Sequence, residues 1–190
     1  TYISDDQLLN DLIRVAVSPD GTVWALSSFG GLVRLIGDDF TPVTITPDSS
    51  STMLESSAVE GEIEYKVEDF TLDSDGGLWA VMKAGVEFDE TMDTWKCILW
   101  HFDGTVWRQH CMTTETPFDT VTGIQIDDRG DIWLATNVGL RRYNNNGSDT
   151  FLIDGPAGNS ISDIVIDDYN GKTIATDRGV SFFTGALWKN

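Results

Sequence analysis

The chain holds two histidines and two cysteines, and all four fall in one short segment as Cys97, His101, His110 and Cys111. Thiolates and imidazoles are the preferred ligands of zinc, so this grouping is the first place where metal chemistry would be sought. The spacing argues against it. If the segment is two strands around an Asp103-Gly104 turn, Cys97 and His101 share one strand face about 13 Å apart, too far for a common ion. The cysteines lie on opposite arms. With a three-residue loop and a glycine bulge, Phe102 faces Val106 and Cys97 comes opposite Cys111, which opens a cross-strand disulfide and an oxidising compartment. Two reduced, buried cysteines are the alternative.

Carboxylates cluster at Ser18-Pro-Asp-Gly21, Asp73-Ser-Asp-Gly76, Asp127-Asp-Arg-Gly130 and Asp167-Asp-Tyr-Asn-Gly171. Asp73-x-Asp75-Gly76 hints at a calcium loop, but the short connections offer neither the further oxygen ligands nor the distal bidentate carboxylate. Asp and Gly as turn formers account for the pattern. Arg129-Gly130-Asp131, spelled like an adhesion tripeptide, and Asn146-Gly147-Ser148, spelled like a glycosylation sequon, read as turns by the same reasoning. No Ser-His-Asp grouping, phosphate loop or dinucleotide fingerprint is present, so the chain is read as non-enzymatic and without cofactor or metal. Scattered carboxylates converging on an axis are the remaining route to an enzyme.

The carboxylate turns recur because the segments around them recur. Aligned on the turn, four copies begin at Val15, Phe70, Ile124 and Ile164, with Gly21, Gly76, Gly130 and Gly171 each three residues before Trp24, Trp79, Trp133 and Ile174. Short runs of alternating apolar and polar residues bounded by Asp, Gly and Asn predict strands, with no helix-period stretch. The hairpins Trp100 to Trp107 and Phe183 to Trp188 add a fourth strand, and Asn146-Gly147 fills that role in the third copy. Four antiparallel strands in a repeat of roughly 40 residues are a propeller blade. The expectation is an all-β chain, a β-propeller or part-propeller of four four-stranded blades. It is read as one domain over 1–190, with blade cores near 12–45, 66–112, 121–154 and 161–190, and 1–4 completing the last blade. Trp24, Trp79 and Trp133 then fill the space between blades rather than forming a sugar platform.

Asp and Glu (31) far outnumber Lys and Arg (12), for a net charge of −19. Nucleic acid and anionic membrane surfaces are disfavoured, while neutral and cationic ligands stay open. No apolar run approaches the roughly 18 residues of a membrane helix, so no membrane insertion is expected. The start at Thr1 without a Met reads as a processed or excised form. Joining Trp188 onward to Thr1 reproduces the spacing from Trp107 to Ile124. A fragment of a longer propeller, closure of the last blade by the N-terminus, and a homodimeric eight-bladed ring all fit that phase.

Two connections exceed the period, Thr46 to Glu64 and the polar-tipped Ala84 to Lys96. Both emerge on the face that carries the bends from strand two to strand three, and loops on a rigid sheet are where binding residues concentrate. Phe29, Lys83, Asn137 and Arg178, with Met92 and Trp95 on the longer flap, are the candidate ligand contacts.

Ile124-x-Ile126-Asp-Asp-x-Gly130-x-Ile-Trp133-x-Ala-Thr136-x-x-Gly139-Leu140-x-x-Tyr143 closely resembles the two-component regulator propeller repeat of bacteria. Ile166-Asp-Asp, Ala175-Thr176 and Gly179-Val180 follow the same pattern, as does Pro19-Asp-Gly-Thr-Val-Trp24, and Phe102-Asp-Gly-Thr-Val-Trp107 is typical of exported members. The second copy departs at Ala80-Val-Met-Lys83. The bacterial sialidase repeat does not fit Ser18-Pro-Asp20-Gly21, where Asp and Gly are adjacent, and no Gly-His or Trp-Asp pairs support a WD repeat. The resemblance implies an extracellular or periplasmic sensor propeller that binds a small molecule or glycan and passes the signal to a kinase. A protein partner, in a structural or assembly module of a cell-surface polymer, is the alternative.

Overall fold

A computed structural model describes residues 11–46, 64–85, 99–110, 121–137, 139–144, 147–151, 157–185 and 187–189. The first sheet joins β1 (Leu12–Val17), β2 (Val23–Ser27), β3 (Leu32–Ile36) and β4 (Asp39–Pro42). The second joins β5 (Glu64–Leu72), β6 (Leu78–Gly85), β7 (Leu99–Phe102) and β8 (Trp107–His110). The third joins β9 (Val121–Ile126), β10 (Ile132–Thr136), β11 (Gly139–Asn144) and β12 (Gly147–Phe151). The fourth joins β13 (Ile161–Ile166), β14 (Lys172–Thr176), β15 (Gly179–Phe183) and β16 (Trp188–Lys189). Every neighbouring pair is antiparallel and consecutive in the chain, and no helix occurs among the described residues. The chain is all-β, built of four four-stranded antiparallel blades of the β-propeller type.

The blades fall into two compact units, Thr1–Thr116 with the first two and Pro117–Asn190 with the last two. Within the first unit, Trp24 and Leu26 of β2 and Leu32 of β3 pack against Phe70, Leu78, Ala80, Trp100, Phe102 and Trp107 of the second blade. Trp24 meets Phe102 edge-on at 6.1 Å between ring centroids. Across the same seam Arg14 Nε reaches Asp69 Oδ1 at 3.0 Å. In the second unit, Trp133, Ala135 and Leu140 pack against Ile161, Ile164, Ile174 and Phe183. Trp24 and Trp133, at equivalent positions, thus fill the seam to the following blade, as their fixed place in the repeat implies. Trp100 and Trp107 are also buried, while Trp188 is partly exposed.

The turns from first to second strand share one hydrogen-bond pattern. Ser18 N donates to Thr22 O and Gly21 N to Ser18 O, and the same pair recurs at Asp73, Asp127 and Asp167. The fourth residue of the turn has positive φ: Gly21 at 87°, Gly76 at 87°, Gly130 at 80° and, in the fourth blade, Asn170 at 62°. This corrects the alignment of the fourth copy by one residue. Asn tolerates the left-handed region that Gly adopts freely, so Asn170, not Gly171, is the turn residue, and Thr173, not Ile174, takes the tryptophan position. Gly171 serves close approach instead, since a Cβ there would lie 2.8 Å from both Asp167 Oδ2 and Phe182 Cζ.

The β7–β8 hairpin also differs from expectation. Phe102 pairs with Trp107, giving a four-residue loop. The cause is Asp103, whose Oδ1 accepts from Thr105 N, Thr105 Oγ1 and Val106 N. The register on which the Cys97–Cys111 pairing was argued is therefore absent, and both cysteines lie outside the described residues. The fourth blade repeats this hairpin, with Phe183 opposite Trp188. Residues 1–4, Met92, Trp95 and most of both insertions also lie outside the described residues.

Candidate functional site

The bends from second to third strand are fixed by local hydrogen bonds. In the first blade Gly30 N donates to Ser27 O, and Gly31 N to Ser27 Oγ at 3.1 Å. Gly30 has φ 83°, and its carbonyl accepts from Val67 N of the next blade at 3.0 Å. Between these anchors Phe29 stands 61% exposed. In the third blade the buried Thr136 donates from Oγ1 to Gly139 O at 2.6 Å, leaving Asn137 exposed at the tip. In the fourth, Thr176 Oγ1 donates to Gly179 O and accepts from Arg178 N, and Asp177 N donates to Ser160 O. The Arg178 side chain is 76% exposed and sits 4.0 Å from Asp177. Lys83 is placed differently. It lies within β6 opposite Lys66, because the long β5–β6 ladder runs on to the pair Glu64 and Gly85. Three of the six candidate contacts, Phe29, Asn137 and Arg178, are thus exposed bend residues held by local backbone hydrogen bonds.

Two side-chain groupings were not evident in the sequence. In the third blade, Asp127 Oδ1 accepts from Arg129 N and Asp131 N, and Oδ2 accepts from Trp133 Nε1 at 3.0 Å. Lys172 Nζ donates to that same Oδ2 at 3.1 Å, to Asn170 O at 2.9 Å and to Asn170 Oδ1 at 2.8 Å, and lies 4.9 Å above the Trp133 ring. Both partners are almost wholly buried, at 2% and 3% exposure of their side chains. Burial alone would raise the Asp127 pKa, but the hydrogen bonds from Trp133, Lys172 and the turn amides outweigh it and hold the carboxyl below its ordinary value. The sequence signal was a lysine at the head of β14, where the other copies have Val23, Leu78 and Ile132.

The second blade repeats the carboxylate turn with different neighbours. Asp73 Oδ1 accepts from Asp75 N and Gly77 N, and Oδ2 from Trp79 Nε1 at 3.1 Å. His101 Nε2 donates to the same Oδ2 at 3.3 Å. His101 stacks on Trp79 at 4.5 Å, and His110 lies tilted against it at 4.7 Å. Although His110 reaches solvent, partial burial of its ring first, then the nearby His101 and Arg108, hold its pKa below the ordinary imidazole value of 6.5. A depressed histidine contributes stability that is full above the unfolded value and lost as pH falls below it toward the folded one. Urea midpoints at about pH 7.5 and about pH 5.5 should therefore differ more for the native protein than for His110→Gln.

The first blade lacks the carboxylate. Ser18 stands in its place, occupied by Asp20 and Thr22 O, and among the described residues Trp24 Nε1 is buried without a partner. Ser18→Asp should supply the missing acceptor and stabilise by about 1 kcal/mol in urea melts, since a net hydrogen bond is worth about that much. The second copy already carries Asp73 and Asp75 together, so Asp20 is no obstacle.

No known family profile matches the chain, and no curated protein does. Solved structures do share its fold. The extracellular domain of BT4673 from B. thetaiotaomicron, described as a one component system, has a TM-score of 0.62 at 18% identity, over 90% of this chain and 21% of that one. The extracellular domain of BT3049 from the same organism, described as a hybrid two component system, has a TM-score of 0.63 at 16% identity, over 98% and 24%. Virginiamycin B lyase from Staphylococcus aureus has a TM-score of 0.63 at 16% identity, over 97% and 56%. The chain thus spans about a fifth to a quarter of the two extracellular domains and just over half of the lyase. Identities this low show a shared fold and no more. No helix among the described residues is long and apolar enough to cross a membrane.

Proposed function

We propose that the chain is a non-enzymatic, ligand-binding propeller module of an exported bacterial protein, working in the periplasm or outside the cell, and that its ligand is a glycan or another small molecule. The observation that carries this reading is the set of rigid second-to-third bends presenting Phe29, Asn137 and Arg178 to solvent. In the first unit the Phe29 ring can stack on a sugar ring, and in the second the Asn137 amide and the Arg178 guanidinium can each bond sugar hydroxyls. Extracellular domains of signalling systems among the structural neighbours, and the resemblance to sensor repeats, support the same reading. The lyase neighbour makes catalysis the contrasting outcome.

Thermal melts across a broad set of soluble oligosaccharides test the proposal. At least one glycan class should raise the melting temperature, with the rise reduced in Arg178→Ala and Phe29→Ala. No rise with any glycan would overturn the glycan reading, and turnover of a substrate that Asp-to-Asn changes abolish would overturn the non-enzymatic one.

A second reading, as an assembly module, is favoured by one observation. Ile13, Val15 and Val17 project from one face of β1 and are 60%, 60% and 61% exposed. An apolar row of this kind suits contact with another protein surface. Light scattering over a range of concentrations should show growing polymers if this reading holds, and a single stable mass if it does not.

A further inference from the structure

His101 and His110 are the only histidines of the chain, and the β7–β8 register brings them together. His101 pairs with Arg108 and Leu99 with His110, so the two imidazoles are diagonal neighbours on one face of the hairpin. Their ring centroids are 6.1 Å apart in an edge-to-face arrangement. Two imidazoles bound to one ion, each through a metal–nitrogen bond of about 2.0–2.1 Å, need ring centres only about 5–6 Å apart. Small side-chain rotations therefore bring both rings onto a shared ion.

The surroundings of His101 are already those of a ligand. In the neutral tautomer whose Nε2 donates to Asp73, Nδ1 is the nitrogen that can bind a metal. Metal-bound histidines commonly donate their other ring N–H to a carboxylate, which fixes the tautomer and the ring plane. Asp73 is itself fixed by Asp75 N, Gly77 N and Trp79 Nε1. The chain makes room for this contact with a glycine. A Cβ on Gly77 would lie 2.5 Å from both Asp73 Oδ2 and His101 Nε2. The His101 side chain is 21% exposed and His110 is exposed, so an ion has access from solvent.

We propose that His101 and His110 together bind a borderline divalent transition metal ion, with Asp73 as the outer carboxylate that orients His101. Imidazole donors suit copper(II), nickel(II) and zinc, with copper(II) held most tightly. No group of three or more His, Cys, Asp or Glu side chains converges among the described residues, so water completes the coordination and the ion is exchangeable. The site lies on the second blade, apart from the bend residues assigned to ligand binding, and does not depend on that assignment.

Calorimetric titration of the whole chain with nickel(II) and copper(II) provides the test, in a Cys97→Ser/Cys111→Ser background that removes thiolate ligands. One equivalent should bind. His101→Gln and His110→Gln should each weaken binding at least about tenfold, and Asp73→Asn by about tenfold, the usual effect of removing an outer-shell partner. Melting curves of each variant establish that it is folded. As a measurement that needs no variant, nickel(II) should broaden the imidazole proton resonances of both histidines in the native protein. Loss of binding in the cysteine-free background, or unchanged binding in His110→Gln, or no broadening of the imidazole signals, would overturn the site.

Discussion

Replacing Asp127 by alanine is expected to destabilise the protein by about 3–5 kcal/mol, the usual result of removing one partner of a buried ion pair. The substitution leaves the Lys172 ammonium buried beneath the seam of the last two blades without its counter-ion, although both Asn170 contacts remain. It also strips the acceptor from Trp133 Nε1 and from the turn amides of Arg129 and Asp131. Lys172→Met should cost less, because the Asp127 carboxylate keeps the indole and both amides. The effect has a pH signature. The Asp127 carboxyl is held below its ordinary value of 3.8 in the folded protein. A depressed carboxylate contributes stability that is present above the unfolded value and lost as pH falls through the folded one. Urea midpoints of the native protein should therefore fall steeply in acid below about pH 4, and the fall should be shallower in Asp127→Ala. An Asp127→Ala midpoint close to that of the native protein at neutral pH would show that the pair contributes little.

Trp24→Ala is expected to cost about 3–5 kcal/mol as well, for a different reason: it opens a cavity in an otherwise closed core. The ring is 5% exposed and packs against Phe102 across the first seam, in a cluster that includes Phe70, Leu78 and Trp107. The indole nitrogen has no partner there, so the loss is one of packing, and Trp24→Phe should recover most of it. Trp79→Ala at the equivalent position should cost distinctly less. Trp79 is only partly buried, and its ring contacts include His101 and His110 in its own blade. Equal losses at the two positions, measured by urea melts, would contradict the difference in packing.

The four-blade pattern was legible because each blade spells its own punctuation. A turn that needs positive φ selects Gly, and the strand that follows starts with a large apolar residue, so periodicity and turn chemistry agree. The fourth copy misleads because two different demands both select glycine. Gly76 and Gly77 in the second copy serve them side by side, the first for its φ and the second for close approach to His101. In the fourth copy Asn170 takes the first role, and only Gly171 remains to be seen. Loop length in the β7–β8 hairpin depends on which backbone amides the Asp103 carboxylate captures, and the dipeptide Asp-Gly does not specify that. Exposure of Phe29, Asn137 and Arg178 followed from strand counting alone. Lys83 did not follow, because the β5–β6 ladder outruns the repeat. The Asp127–Lys172 pair joins residues far apart in sequence, and a turn-forming Asp gives no hint that its second oxygen faces the next blade.

The most direct measurement of the proposed function is backbone amide NMR of the whole chain, titrated with a glycan that raises its melting temperature. The largest shifts are expected at the second-to-third bends, at Ser28 to Gly30, at Thr136 and Asn137, and at Asp177 and Arg178. Shifts confined to the opposite turns, Ser18 to Gly21, Asp73 to Gly76, Asp127 to Gly130 and Asp167 to Asn170, would contradict the assignment of ligand binding to the bends.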